Sequence, residues 1–264
     1  MDIFLKYKRF FIVFGLISLL ILILFYNALV PTKTLPVFQP AIVNYELVDS
    51  TIQHVKKFHR IADFELVNQN GKTITQQDFK GKIYIADFFF TTCPSICISM
   101  TNNMLKIQKE IENNPNILLI SHTVTPKIDS VAKLKKYAEE KGVNDKKWHL
   151  VTGEKKEIYR LARKSYLAAK GDGDGGPFDM IHTENFILVD PDKRIRGFYD
   201  GTNLEEISRL LTDIQILNSE YFRKFSVPLS KITNVKFIEY TTIVIRKDTI
   251  DKLKSLKVKI KLLS

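Results

Sequence analysis

The chain has 264 residues, 45% of them hydrophobic and 26% charged, with a formal charge of +11 and two cysteines. The charge resembles a nucleic-acid signature until it is located: residues 221–264 carry eleven Lys and Arg against three acidic residues, so eight of the eleven surplus charges lie there and the remainder of the chain is near neutral. Once an apolar N-terminal segment and this basic tail are set aside, roughly 190 residues remain, enough for one domain with a sizeable core and too few for two.

Residues 10–30 form a nearly continuous apolar run, interrupted only by Gly15, Ser18 and Asn27, and about 20 such residues span a hydrocarbon core. Lys6, Lys8 and Arg9 precede the run and only Lys33 follows closely. The positive-inside rule therefore expects residues 1–9 in the cytoplasm and everything beyond residue 30 outside it, as a single-pass protein of the cell inner membrane with a periplasmic domain. The run exceeds the roughly 7–15 residues of a signal-peptide core and no Ala-x-Ala site follows, so a retained anchor is expected. Residues 31–60 read as a membrane-proximal linker whose first part, with Pro31, Pro36 and Pro40, is an extended spacer.

The domain is expected over residues 61–220. Residues 61–79 read as an antiparallel hairpin turning at Asn70-Gly71. Residues 82–90 read as a buried central strand, 99–112 as a helix, 117–124 as another apolar strand, 130–141 as an amphipathic helix stopped by Gly142, 148–151 as a short strand and 154–165 as a helix. After the glycine-rich stretch 171–176, residues 185–190 and 194–200 pair through Pro191-Asp192, and 204–217 closes as a helix. Strands and helices alternate first and a hairpin comes last, which predicts an α/β fold: a thioredoxin-like mixed sheet flanked by helices. The tail 221–264 is a basic extension to which no function is assigned.

The cysteines occur together as Cys93-Pro94-Ser95-Ile96-Cys97, directly after the central strand. A thiol delivered to the start of a helix meets unpaired N–H groups and the positive end of the helix dipole, which favour thiolate. Pro94 suits the first helical turn, which puts Cys93 on the loop or cap. Two thiolates are too few for a closed structural zinc site, so either a third ligand exists or the pair is a redox switch. A disulfide between them would close a very short loop and so staple little. Met100 and Met104 follow at helical spacing and read as core filling.

Of five histidines, His54, His59, His122 and His149 read as structural or solvated. His182 differs by position: it opens a strand directly after the glycine-rich loop, where a rigid sheet can hold it against the cysteine-bearing helix start. That loop, with Asp172 and Asp174 between glycines, lacks the spacing of an EF-hand and reads as a hinge through which His182 approaches or leaves the sulfurs.

Three stretches together resemble the Sco (SenC) proteins: Phe89-Phe90-Thr91-Thr92-Cys93-Pro94-Ser95-Ile96-Cys97, His182-Thr183-Glu184-Asn185-Phe186-Ile187-Leu188-Val189-Asp190, and Ile195-Arg196-Gly197-Phe198-Tyr199-Asp200-Gly201-Thr202. The resemblance covers residues 63–217. It implies a membrane-anchored, thioredoxin-fold copper chaperone that helps metallate the binuclear copper centre of cytochrome c oxidase, with Cys93, Cys97 and His182 as ligands to Cu(I) and Cu(II). The implied partner is cytochrome c oxidase subunit II or another copper or thiol protein, with no nucleic acid; a monomer is expected. Two soft thiolates suit Cu(I), and an added imidazole allows Cu(II) as well. The chain departs from the family pattern at Ile98, where proline is frequent, and at Ile181, where an acidic residue often precedes the histidine. Asp179, upstream of the histidine, and the strand residue Asp87 are the candidate carboxylates for orienting the imidazole.

These residues support a copper-binding assembly factor without turnover. The alternative is an exported thiol-disulfide oxidoreductase acting through Cys93 and Cys97 on partner cysteines without metal transfer. A peroxide-reducing thiol protein is disfavoured because no basic residue lies within the cysteine motif to activate the thiolate.

Overall fold

The computed structural model describes residues 7–29, 34–43, 48, 51–169, 176 and 179–222. The basic tail beyond Phe222 and all of the glycine-rich stretch except Gly176 lie outside the described residues.

The apolar run is a helix, α1 (Lys8–Leu29). Its segment Lys8–Tyr26 is long and apolar enough to cross a membrane, and none of it is buried by protein. The domain that follows comprises β1 (Glu65–Asn68), β2 (Thr73–Thr75), β3 (Ile83–Phe89), α2 (Ile96–Glu110), β4 (Ile117–Thr123), α3 (Val131–Lys141) and β5 (Trp148–Thr152). It continues with α4 (Lys155–Arg160), β6 (Asn185–Val189), β7 (Ile195–Asp200) and α5 (Leu204–Phe222).

The seven strands form one sheet in the order β2-β1-β5-β4-β3-β6-β7. β3, β4 and β5 run parallel, each reached through a helix, while β1, β2, β6 and β7 join antiparallel. Buried on both faces, β3 reads as an unbroken apolar run except for Asp87, and all seven of its residues are buried. Alternation along β3 sends Ile83, Ile85 and Phe89 to a cluster shared with α2, α3 and α5, and Tyr84, Ala86 and Phe88 to a second cluster under Tyr159, Leu161 and Tyr166. This is the expected thioredoxin-like mixed sheet between helical layers.

Local chemistry explains the boundaries. The Asn68 carboxamide accepts the N–H groups of Asn70 and Lys72 at 3.0 Å each, and Gly71 takes φ +74°, so the first hairpin turns where the sequence predicts. That hairpin is shorter than expected. Residues 76–79 leave the sheet as a 3-10 turn, because Thr75 and Asp78 form a reciprocal capping box. Ser130 accepts the Lys133 N–H at the start of α3, and Gly142 ends that helix at φ +79°.

Three expectations need correction. The cysteine helix begins at Ile96, three residues earlier than the periodicity indicates. The helix from residue 155 is α-helical only to Arg160 and continues as a π-helical turn, Leu161–Ser165, in which the Tyr166 N–H reaches back to the Leu161 carbonyl at 2.8 Å. The spacer, where described, is not free of the domain. Arg196, 3% exposed, donates to the carbonyls of Leu35 (2.7 Å) and Pro36 (3.0 Å) and to the carboxylates of Asp190 (3.0 Å) and Glu220 (2.7 Å). Glu220 in turn accepts the Leu35 N–H at 2.7 Å, and Phe38 packs edge-on against Phe198.

Candidate metal and thiol site

β3 ends against the turn that carries Cys93. The Cys93 N–H reaches the Phe90 carbonyl at 3.3 Å, Cys93 is half-buried on the turn, and Cys97 lies buried in the first turn of α2. Asp129, which the sequence reading did not single out, fixes this turn. Fully buried at the start of α3, its carboxylate accepts the Thr91 N–H (3.2 Å) and the hydroxyls of Thr91 (2.5 Å), Thr123 (2.5 Å) and Thr125 (2.9 Å). Lys133 stands 3.6 Å away. One charge thus ties the segment after β3 to the segment after β4. A threonine at each of these three positions was the available signal, unreadable until the strands were known to be neighbours.

The two thiols are unequal. Desolvation pushes the Cys93 thiol up, but hydrogen bonds from the Ser95 backbone and the Cys97 thiol, with further ones from the Cys97 backbone and Ser95 hydroxyl, outweigh it and hold the group below its ordinary value. Burial pushes the Cys97 thiol up to about 12, reinforced by Cys93 and by the charge of Asp87. Cys93 is therefore the more accessible and the more acidic of the two thiols, with Cys97 behind it.

Asp87 is 3% exposed on the α2 face of β3. Burial raises its carboxyl to about 7, against a hydrogen bond from Ser121 that lowers it. Ser121 in turn accepts the Trp148 indole N–H at 2.8 Å, while Asp87 Oδ1 has no hydrogen-bond partner among the described residues. No hydrogen bond joins Asp87 to His182 among the described residues, so its environment connects it to Cys97 rather than to the imidazole. Asp179 is committed elsewhere too, to Arg163, at 2.6 and 2.7 Å.

His182 lies exposed on the segment leading into β6, with its ring stacked on Phe90 at 6.1 Å and 24°. Together with Cys93 and Cys97 it lines one cavity of about 240 Å³, whose other walls include Pro94, Val124 and Ile181. The three residues separated by most of the domain in sequence thus face the same space. They are not closed into a ligand set: among the described residues, no three His, Cys, Asp or Glu side chains are gathered closely enough to hold a metal ion. Met100 and Met104 are fully buried in the core, away from any ligand role.

Three other histidines, His59, His122 and His149, serve the fold. His122 is fully buried against Phe88, its Nδ1 facing the Asp87 carbonyl at 3.2 Å, so Nδ1 carries the proton; burial lowers its pKa to about 4. His59 bonds the Ser165 carbonyl at 2.8 Å and His149 faces Asn68 at 3.4 Å, and burial lowers both.

A model of the SCO1/SenC family matches residues 53–217. The SCO1 protein homolog of Bacillus subtilis is 31% identical over 159 residues, which cover 60% of this chain and 82% of that protein. A Stutzerimonas stutzeri protein named for copper binding is 29% identical over 167 residues, covering 61% of this chain and 78% of that one. Among solved structures, BsSco, described as having a disulfide switch and as a member of the Sco family of cytochrome c oxidase assembly proteins, superposes with a TM-score of 0.53 at 29% identity, covering 61% of this chain and 94% of its own.

Proposed function

This chain belongs to the SCO1/SenC family, and from that premise we propose that it is a membrane-anchored copper-binding protein that takes part in cytochrome c oxidase assembly. In this reading it delivers copper to the binuclear copper site of the oxidase or maintains the thiols there. Helix α1 anchors it in the inner membrane with the domain outside the cytoplasm, the recipient is subunit II, and Cys93, Cys97 and His182 hold the copper. The observation that carries the reading is the single cavity shared by these three side chains.

The donor set fits the cargo. Cys93, the more exposed and more acidic thiol, is the first sulfur an incoming Cu(I) meets, and coordination by both sulfurs displaces their protons. The imidazole completes the set by leaving its stack on Phe90, and it distinguishes the two oxidation states because Cu(II) needs the nitrogen more than Cu(I) does.

A second reading rests on the inequality of the thiols. The Cys93 thiolate attacks a partner disulfide and forms a mixed disulfide; Cys97 then attacks Cys93, giving the Cys93–Cys97 disulfide and releasing the partner as a dithiol. The similarity to BsSco, with its disulfide switch, favours keeping it.

The test is anaerobic purification of the full chain in detergent, then metal analysis and absorption spectroscopy on adding Cu(II). Thiolate-to-copper charge-transfer bands that disappear in Cys93→Ser and in His182→Ala are the expected result. Retention of the bands in His182→Ala removes the imidazole from the ligand set, and absence of bound copper in the wild-type chain leaves the oxidoreductase.

A further inference from the structure

The segment that presents His182 is gripped by a stripe of three side chains on one helix face. Lys155, Tyr159 and Arg163 follow at four-residue spacing along α4 and its π-helical extension, and all three reach the strand-entry segment just upstream of His182. The Lys155 ammonium donates to the carbonyls of Gly176 and Asp179, both at 2.6 Å. The Tyr159 hydroxyl lies 3.0 Å from the Val124 carbonyl and 3.1 Å from that of Asp179, and accepts the Ile181 N–H at 3.4 Å. The Arg163 guanidinium holds the Asp179 carboxylate in a two-pronged ion pair at 2.6 and 2.7 Å, with the two side chains only 7% and 9% exposed.

Arg163 lies in the π-helical turn and is buried, while Arg160 stays on the surface, paired with Glu157. The grip also reaches the cavity directly, because Val124 and Ile181, the backbone groups that Tyr159 touches, both line it beside His182.

We propose that Lys155, Tyr159 and Arg163 are positioning residues for His182: by fixing Asp179 and Ile181 they set where the imidazole backbone stands relative to Cys93 and Cys97, so that only the side chain has to turn to complete the Cu(II) site. This rests on His182 being a copper ligand. The mount, Asp179 and Ile181, lies between the glycine-rich stretch and His182. Oxidation state is where the effect appears. Cu(I) is satisfied by the two sulfurs, whose turn is tied down separately by Asp129, whereas Cu(II) needs the imaginary line from the mount to the sulfurs to be the right length.

The experiment compares wild type, Arg163→Ala, Tyr159→Phe and His182→Ala as full chains in detergent, by competition titration with Cu(I) and with Cu(II) and by electron paramagnetic resonance of the Cu(II) forms. Loss of an outer group that orients a ligand typically lowers metal affinity about 10- to 100-fold, and that fall is expected for Cu(II) in Arg163→Ala, with Cu(I) affinity little changed and altered nitrogen coupling. Tyr159→Phe removes one hydroxyl without removing packing, and should lower Cu(II) affinity about 2- to 10-fold; it carries the test alone if Arg163→Ala does not fold. A general loss of structure would weaken both oxidation states together. If His182→Ala loses Cu(II) affinity while the folded stripe variants bind Cu(II) as wild type does, or lose Cu(I) equally, the positioning role is wrong. If His182→Ala itself binds Cu(II) normally, the ligand assignment beneath it is wrong instead.

Discussion

Replacing Asp87 by asparagine should make the protein more stable at neutral and alkaline pH and leave it nearly unchanged in acid. The carboxyl is 3% exposed, one of its oxygens has no partner among the described residues, and burial raises it from an ordinary 3.8 to about 7. With the folded value above the unfolded one, the native state keeps a proton that the unfolded chain has already released between about pH 4 and pH 7. The stability tied to that proton is therefore complete below about pH 4 and is lost as pH rises through 7. At about 1.4 kcal/mol for each pH unit of separation, the loss amounts to about 4 kcal/mol by pH 8. Asparagine has the same shape, can still accept from Ser121, and never ionises, so it avoids that loss. His122 changes stability in the opposite sense, gaining with pH between about 4 and 6.5 because its folded value is depressed, but it is present in both proteins and cancels in the difference. The assay is urea unfolding of the reduced, metal-free full chains across pH 4.5–8. It is followed by fluorescence of Trp148, the only tryptophan, which lies one hydrogen bond from Ser121. The stability gap between variant and wild type should open steadily toward high pH. A gap that stays constant across the range, or closes, would refute the assignment of a buried, protonated carboxyl beneath the thiols.

Iodoacetamide at pH 8 should label Cys93 well before Cys97, because one thiol is held below its ordinary value and the other is pushed up to about 12; equal labelling of the two peptides by mass spectrometry contradicts the asymmetry. Arg196→Ala strands Glu220 and two spacer carbonyls, and should cost about 3–5 kcal/mol in urea unfolding while exposing residues 34–38 to protease. Gly201→Ala would bring a methyl group 2.9 Å from the Glu184 carbonyl, which already accepts the Gly201 N–H at 2.7 Å, and 2.7 Å from the Phe186 ring. A loss of about 1–3 kcal/mol is expected, and an unaltered unfolding midpoint would show that the hairpin end can give way.

The strands were legible because their chemistry is local: β3 is apolar except for Asp87 and β4 opens on the apolar run 117–120, Asn70-Gly71 forces a turn, and Gly142 stops a helix at positive φ. The cysteine pair and His182 stood out in the sequence by motif and position, and all three line one cavity. What escaped depends on groups brought together only by folding. Asp129 reads as an ordinary residue at a helix start until Thr91 and Thr123 become neighbours through the parallel pairing of β3 with β4. Arg163 reads as a solvated helix charge because its buried partner, Asp179, lies in a segment that only the fold brings against this helix. Likewise, the proline-rich spacer carries no sequence mark of docking, since its backbone groups are met by Arg196 and Glu220, more than 150 residues away. Asp87 was noticed, but its place beside Cys97 instead of His182 follows from which way β3 faces.

The claim on which the rest depends is that two sulfurs and one imidazole bind the same copper ion. X-ray absorption at the copper edge of the Cu(II)-loaded full chain, together with electron paramagnetic resonance after labelling histidine with nitrogen-15, measures that directly. The account predicts a shell containing two sulfur donors and coupling to one histidine nitrogen that vanishes in His182→Ala. A shell without sulfur, or a nitrogen coupling that survives in that variant, would contradict it.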